Sequence, residues 1–135
     1  MIRLVIVDDH PLVREGLKKI LSKKSSEITI TGEASGREEL FQILEQEEPD
    51  IVVLDIELPE QNGLEILKEV RQKHPDVSVL MLSMYPADRF AVRSFKAGAA
   101  GYLTKTGITD ELEKAIRMIV HEKKKYISPS VAEVL

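Results

Sequence analysis

Cysteine is absent from the 135 residues, which excludes a disulfide framework, a cysteine nucleophile and zinc–thiolate sites, and which fits a reducing compartment. No apolar run approaches the length of a membrane span, and Met1-Ile2-Arg3 leads into a strand pattern with no signal-peptide core, so the expected location is the cytoplasm, with no membrane partner. Excess positive charge is lacking too. The formal net charge of −4 argues against binding of nucleic acid or an anionic membrane by the chain as a whole. Long repeats and low-complexity tracts are missing, as is the G-x-x-x-x-G-K-[ST] loop of a nucleotide-binding enzyme.

What is present is one domain's worth of chain, 43% hydrophobic, enough to bury a core. Short apolar runs alternate with amphipathic stretches, the pattern of strand-helix-strand units and a mostly parallel sheet. Strands are expected at Ile2 to Val7, Ile28 to Ala34, Ile51 to Leu54, Val77 to Leu82 and Gly101 to Leu103. The third and fourth are apolar nearly throughout and read as central. Helical spacing of apolar residues appears in Leu12-Val13-Gly16-Leu17-Ile20-Leu21, in Leu40-Phe41-Ile43-Leu44, in Leu64-Ile66-Leu67-Val70 and in Leu112-Ala115-Ile116-Ile119-Val120. The segment Ala87 to Ala97 carries only a patchy stripe broken by charge, and is the helix expected to move. Pro11 suits a first helical turn, Gly63 opens the third helix, and Asp110 with Glu111 places negative charge at the start of the fifth. Residues 1–125 form the expected domain; in 126–135, Ser128-Pro129 reads as the N-cap and first turn of a further short helix.

Ligands of an open parallel sheet bind at the carboxyl ends of its strands, so those ends locate the chemistry. In VIVDDHP the first strand runs into two adjacent carboxylates, Asp8 and Asp9, which repel unless a cation offsets them. The third strand ends in Asp55, the fourth in Ser83 and the fifth in Thr104-Lys105. Taken singly, each has a plain explanation: a carboxylate after a strand commonly caps the next helix, and a lysine at a strand end is commonly solvated. Together they describe a hard-oxygen site for a divalent cation such as Mg2+, with Lys105 and Ser83 left to bind a phosphoryl group and Asp55 able to act as its nucleophile.

These residues resemble the receiver domain of two-component response regulators, over essentially the whole chain. Asp8-Asp9 is similar to that family's acidic metal-binding pair, Asp55 in VVLDIELPEQNGLEIL to its phosphoacceptor, Ser83 to its switch hydroxyl, and Lys105 in AGAAGYLTK to its lysine. DDHPLVREGL, LSMYPADRFAVRSFKAGAAGYLTK and YISPSVAEVL resemble the NarL/FixJ subfamily in particular. The resemblance implies a flavodoxin-like (βα)5 three-layer sandwich, α/β in class, whose five-stranded parallel sheet has the order 2-1-3-4-5. It implies the backbone carbonyl of Glu57 as a further Mg2+ ligand, Pro59 and Gly63 as shapers of the loop after Asp55, and Tyr102 as a switch residue that turns inward when Ser83 moves. The implied function is a signalling phosphoacceptor, not an enzyme acting on a separate substrate. Its implied partners are a histidine kinase and, on phosphorylation, a second copy of the chain. DNA would be reached only through an output domain outside this chain, with 126–135 the start of a linker toward it; HEKKK itself reads as a solvated helix end.

Some positions depart from the family pattern. Thr106 follows Lys105 where many receivers have proline, so a cis bond is not implied. Met84 is bulky beside the switch hydroxyl and is expected to shield a phosphorylated aspartate from water, and Glu57 adds a charge two residues after the acceptor. His10 is expected at the surface beside the acidic pair, since neither His74 nor His121 lies in a strand-end loop that would join it. A flavodoxin would need a small, hydroxyl-rich loop where DDHP stands, and a haloacid-dehalogenase-like hydrolase a D-x-D. A pseudo-receiver would lack one of the acidic pair, the acceptor or the lysine, and all are present.

Overall fold

The computed structural model describes residues 1–24, 27–59, 61–106 and 108–135. Five strands, β1 (Ile2–Val7), β2 (Ile28–Ala34), β3 (Ile51–Asp55), β4 (Ser78–Ser83) and β5 (Gly101–Thr104), alternate with helices α1 (Pro11–Lys24), α2 (Arg37–Gln46), α3 (Gly63–Lys73), α4 (Ala87–Lys96) and α5 (Ile108–Glu122), and a short α6 (Pro129–Val134) follows. All the pairings are parallel and the order is β2-β1-β3-β4-β5, as the resemblance implies. Three strands differ slightly from expectation at their ends. Asp55, Ser83 and Thr104 stay in the ladder, Asp55 opposite Leu82 and Ser83 opposite Thr104, while Val77 leaves it because its N–H is taken by the His74 carbonyl. Among the described residues no helix is long and apolar enough to cross a membrane.

Alternation along the strands divides the core in two. Val5, Val7, Val52, Leu54, Val79 and Met81 point to the side covered by α2, α3 and α4, and Leu4, Ile6, Ile51, Val53, Leu80 and Leu82 to the side covered by α1 and α5. This period of two, with both faces apolar, is what makes β3 and β4 read as unbroken hydrophobic runs. Burial of such a side chain contributes about 1.5–3 kcal/mol, so the central strands anchor whatever hangs from their ends.

The helices differ in how firmly they are held. α3 buries Leu64, Ile66, Leu67 and Val70 and is capped by Asn62, whose side chain accepts from the Leu64 N–H at 2.7 Å. In α4 the buried residues are Ala87, Ala91 and Ser94. Small side chains give little dispersion contact, which is the physical basis for the mobility expected of this helix. Beyond residue 125 the chain remains attached: Tyr126 makes a parallel bridge with Gly101, its N–H donates to the Ala100 carbonyl and its hydroxyl to Glu111. Ser128 caps α6 by accepting from the Val131 N–H at 3.3 Å, and Val131 is buried in the same cluster as Ala87, Ala91 and Tyr102.

Gly63 ties α3 to the end of β3. Its N–H donates to the Ile56 carbonyl at 2.8 Å, and a Cβ there would lie 2.4 Å from the Asp55 carbonyl oxygen and 2.7 Å from Ile56 Cα. Backbone cannot yield as a flexible side chain can. Gly63→Ala is therefore expected to cost about 2–3 kcal/mol by overpacking, whereas Gly16→Ala, on α1 with nothing within 4 Å of its Cβ position, is expected to stabilise by about 0.5–1 kcal/mol through helix propensity. Chemical denaturation of the two variants beside the parent checks both signs.

Candidate functional site

Strand order reverses between β2-β1 and β3-β4-β5, and a crevice opens at the carboxyl ends of β1 and β3, the place where such sheets bind ligands. The residues singled out from the sequence converge there. Asp8 and Asp9 follow β1, Asp55 ends β3, Ser83 ends β4 and Lys105 follows β5. Asp8, Asp55 and Ser83 are buried, each 1% exposed or less.

Lys105 Nζ lies 3.0 Å from Asp8 Oδ2 and 3.2 Å from Asp55 Oδ2. Its backbone N–H donates to the Ser83 carbonyl at 2.8 Å, so β4 sets the point from which the ammonium reaches across. Asp8 is held on several sides: its N–H donates to the Ala34 carbonyl, His10 N–H donates to Oδ1 at 2.9 Å, and the Arg14 guanidinium donates to its carbonyl oxygen. Asp55 Oδ1 accepts the Glu57 N–H at 3.1 Å. The Ile56 N–H donates to the Leu82 carbonyl, extending the ladder one residue past β3 and fixing the direction in which Glu57 sets out.

The site holds more negative charge than its own cations neutralise. Ligand atoms of Asp8, Asp9, His10 and Asp55 all lie within 4.8 Å of one another. Asp9 Oδ1 and Asp55 Oδ2 are buried and accept no hydrogen bond from the described residues; His10 Nδ1 and Lys105 Nζ stand 3.2 Å from them, out of hydrogen-bonding alignment. A buried carboxylate oxygen without a donor is costly, and a divalent cation bound by oxygen is the group that satisfies it. The chemistry of this donor set thus fits a hard cation. His10 is exposed, with Nδ1 3.2 Å from Asp8 Oδ1 and from Asp9 Oδ1, at the surface beside the pair as expected.

Burial pushes the Asp55 carboxyl up to about 6, against the lowering effects of the Glu57 N–H and the Lys105 charge and with a further rise from the Asp8 charge. For Lys105, burial acts to lower the pKa, but the Asp8 hydrogen bond and the Asp55 charge outweigh it and the ammonium sits above its ordinary value. Tyr102 is raised, chiefly by burial. Its ring is fully buried, and its hydroxyl donates to the Tyr85 carbonyl at 3.0 Å. Ser83 Oγ meanwhile accepts the Tyr85 N–H at 3.0 Å, so one loop residue is held by both. The Lys105–Thr106 bond is trans.

Sequence reasoning missed the Arg14 contact to Asp8 and the reach of the Glu57 carboxylate, which accepts the Met84 N–H at 3.4 Å. No motif marks either. Arg14 could have been found only from the helical phase that turns the start of α1 back toward β1, and Glu57 only from the distance between two loops.

Comparison with known proteins gives a consistent picture. Residues 4–117 match the family described as the response regulator receiver domain. The response regulator GacA of Pseudomonas viridiflava is 37% identical over 135 residues, covering 100% of this chain and 62% of its own length. The nitrate/nitrite response regulator protein NarL of Escherichia coli is 35% identical over 113 residues, 84% of this chain and 52% of its own. The crystal structure of a LuxR-family two-component response regulator from Aurantimonas sp. SI85-9A1 superposes with a TM-score of 0.90 at 34% identity, covering 98% of this chain and 94% of that one. The chain thus spans roughly half to three fifths of the length of these two full regulators.

A carboxyl whose folded pKa lies above its unfolded value makes folding less favourable wherever it is ionised. The contribution of Asp55 to stability is therefore expected to fall as pH rises between about 4 and about 6. In chelator at pH 7.5, Asp55→Asn should stabilise the fold by about 1–3 kcal/mol, the scale of a shift of roughly two pKa units. The gain should vanish below about pH 4, where the carboxyl is protonated in both states. Thermal unfolding across that range checks the sign and the window.

Proposed function

This chain belongs to the response regulator receiver family, a family of two-component phosphoacceptors, and on that premise we propose that Asp55 takes the phosphoryl group with Asp8, Asp9 and the Glu57 backbone carbonyl holding Mg2+. The observation that carries the reading is the pair of unsatisfied buried carboxylate oxygens, on Asp9 and Asp55, beside an ammonium shared by Asp8 and Asp55. Bound Mg2+ would neutralise the carboxylates and the phosphoryl oxygens facing them.

The remaining work falls to this chain's own groups. An Asp55 carboxylate oxygen attacks phosphorus, the bond from phosphorus to the donor's imidazole nitrogen breaks, and the electron pair leaves with the imidazole of a partner histidine kinase. Lys105 stands where it can follow the charge from carboxylate to phosphoryl oxygen, and Ser83, at the neighbouring strand end, can donate its hydroxyl proton, which accepting the Tyr85 N–H leaves free. Turning Oγ toward the phosphoryl group would strain the bond from Tyr85 and disturb the residue that Tyr102 also holds, next to the weakly packed α4, which makes Ser83, Tyr102 and α4 one switching unit. Asp55 phosphate is then lost to water within the same site, with the exposed Met84 at its edge. In the whole cytoplasmic protein, phosphorylation favours a homodimer and regulates transcription through a DNA-binding output domain that 126–135 leads toward.

Intact-mass spectrometry after incubation with Mg2+ and a small acyl phosphate tests the assignment. One phosphoryl adduct is expected, absent in chelator and in Asp55→Asn. Lys105→Gln should lower the adduct yield about tenfold or more, the scale of losing a charge directed at the transition state, while Mg2+, titrated separately, should bind at least as tightly because a cation beside its carboxylates is removed. Failure of the parent protein to form an adduct even with a phosphorylated kinase would reduce the site to cation binding or partner docking.

A further inference from the structure

The phosphoacceptor reading uses only the carbonyl of Glu57 and leaves its side chain without a task. That side chain is exposed, and an exposed glutamate is ordinarily just solvated. Here, however, the residue is bonded at two ends. Its N–H donates to Asp55 Oδ1 at 3.1 Å, and its Oε1 accepts the N–H of Met84 at 3.4 Å. One residue therefore spans from the acceptor carboxylate to the loop after β4. The loop's other ties fall on Tyr85 and not on Met84: Ser83 Oγ accepts the Tyr85 N–H and the Tyr102 hydroxyl donates to the Tyr85 carbonyl, whereas Met84 is 60% exposed and the following helix buries only alanine and serine. The negative charge of Glu57 also reaches the Tyr102 hydroxyl, whose pKa is raised first by burial and further by Glu57.

A phosphoryl group on Asp55 adds a charge of about −1.5 to −2 and three strong acceptor oxygens. It arrives two residues from the Glu57 carboxylate, and like charges there oppose one another. It also brings acceptors suited to the same kind of amide that Glu57 occupies. We propose that the Glu57 carboxylate is a positioning group that holds the Met84 N–H and the β4–α4 loop in the resting arrangement, and that a phosphoryl group on Asp55 displaces it and frees that amide. This rests on Asp55 being the acceptor. Glu57 then raises the free energy of the phosphorylated state and makes release of the loop conditional on it, beside the Ser83–Tyr85–Tyr102 contacts.

Two variants separate charge from hydrogen bond. Glu57→Gln keeps a side-chain oxygen for Met84 and loses the charge; Glu57→Ala loses both. The probe is beryllofluoride at saturating Mg2+, with Mg2+ titrated separately for each protein. Binding is expected to tighten by about three- to tenfold in both variants, the scale of a screened like-charge repulsion. Without ligand, hydrogen exchange of the Met84 amide should quicken in Glu57→Ala and stay near the parent rate in Glu57→Gln. In the parent, beryllofluoride should shift the Met84 amide resonance. Unchanged beryllofluoride affinity in both variants, or an unchanged Met84 amide in Glu57→Ala, overturns the proposal. The Asp55 phosphoryl adduct, measured in parallel, keeps the two readings apart: its absence from the parent protein removes the acceptor assignment, whereas its presence with unaltered variants removes only the role of Glu57.

Discussion

The ammonium of Lys105 stands between Asp8 and Asp55, and the rest of the site depends on that contact. Two buried carboxylates at the ends of neighbouring parallel strands would repel and resist burial; Lys105 offsets part of that charge from a third strand, reaching over the end of β4. The compensation is incomplete. Burial still pushes Asp55 up to about 6, and buried oxygens on Asp9 and Asp55 lack donors. A site left short of positive charge in this way has the donor set of a hard cation. Its instability on its own is the physical source of its chemistry.

The scaffold treats its two sides differently. β1, β3 and β4 are locked by apolar contacts on both faces, and Gly63 lets α3 close directly on the Asp55 and Ile56 backbone. Asp55 is thus placed on rigid elements. On the other side of Ser83 the hold weakens to a few polar contacts: Ser83 to Tyr85, Tyr102 to Tyr85 and Glu57 to Met84. α4 follows with small buried side chains, and α6 lies over it through Val131. A rigid site joined to a loosely held helix is an arrangement in which local charge can shift a larger element, and the tail that covers α4 is in contact with that element.

Much of this was legible in the residues themselves. The alternation of apolar runs and amphipathic stretches located all five strands, and their last residues named the site because parallel strands all present their carboxyl ends on one edge. The errors were small: Val77 assigned to β4, although a turn bond removes it, and Asp55, Ser83 and Thr104 named as strand ends yet left outside the apolar runs taken as strands, because a polar side chain hides a backbone still in the ladder. Tyr102 is instructive in another way. Its place in β5 was legible, whereas the contact that holds its hydroxyl, the Tyr85 carbonyl, is a loop atom with no sequence signature.

What the sequence by itself determined is the set of side chains and the strand ends they occupy: apolar periodicity dictates which segments become strands and which face of each is buried. Only the tertiary structure decided which of those side chains meet. Lys105 pairs with Asp8 across 97 positions, Glu57 bonds to Met84 across 27, and Tyr126 returns to extend the edge of β5. Such contacts depend on strand order, on the rotation of each strand and on the path of a loop. Those are collective results of packing that no local pattern of residues encodes.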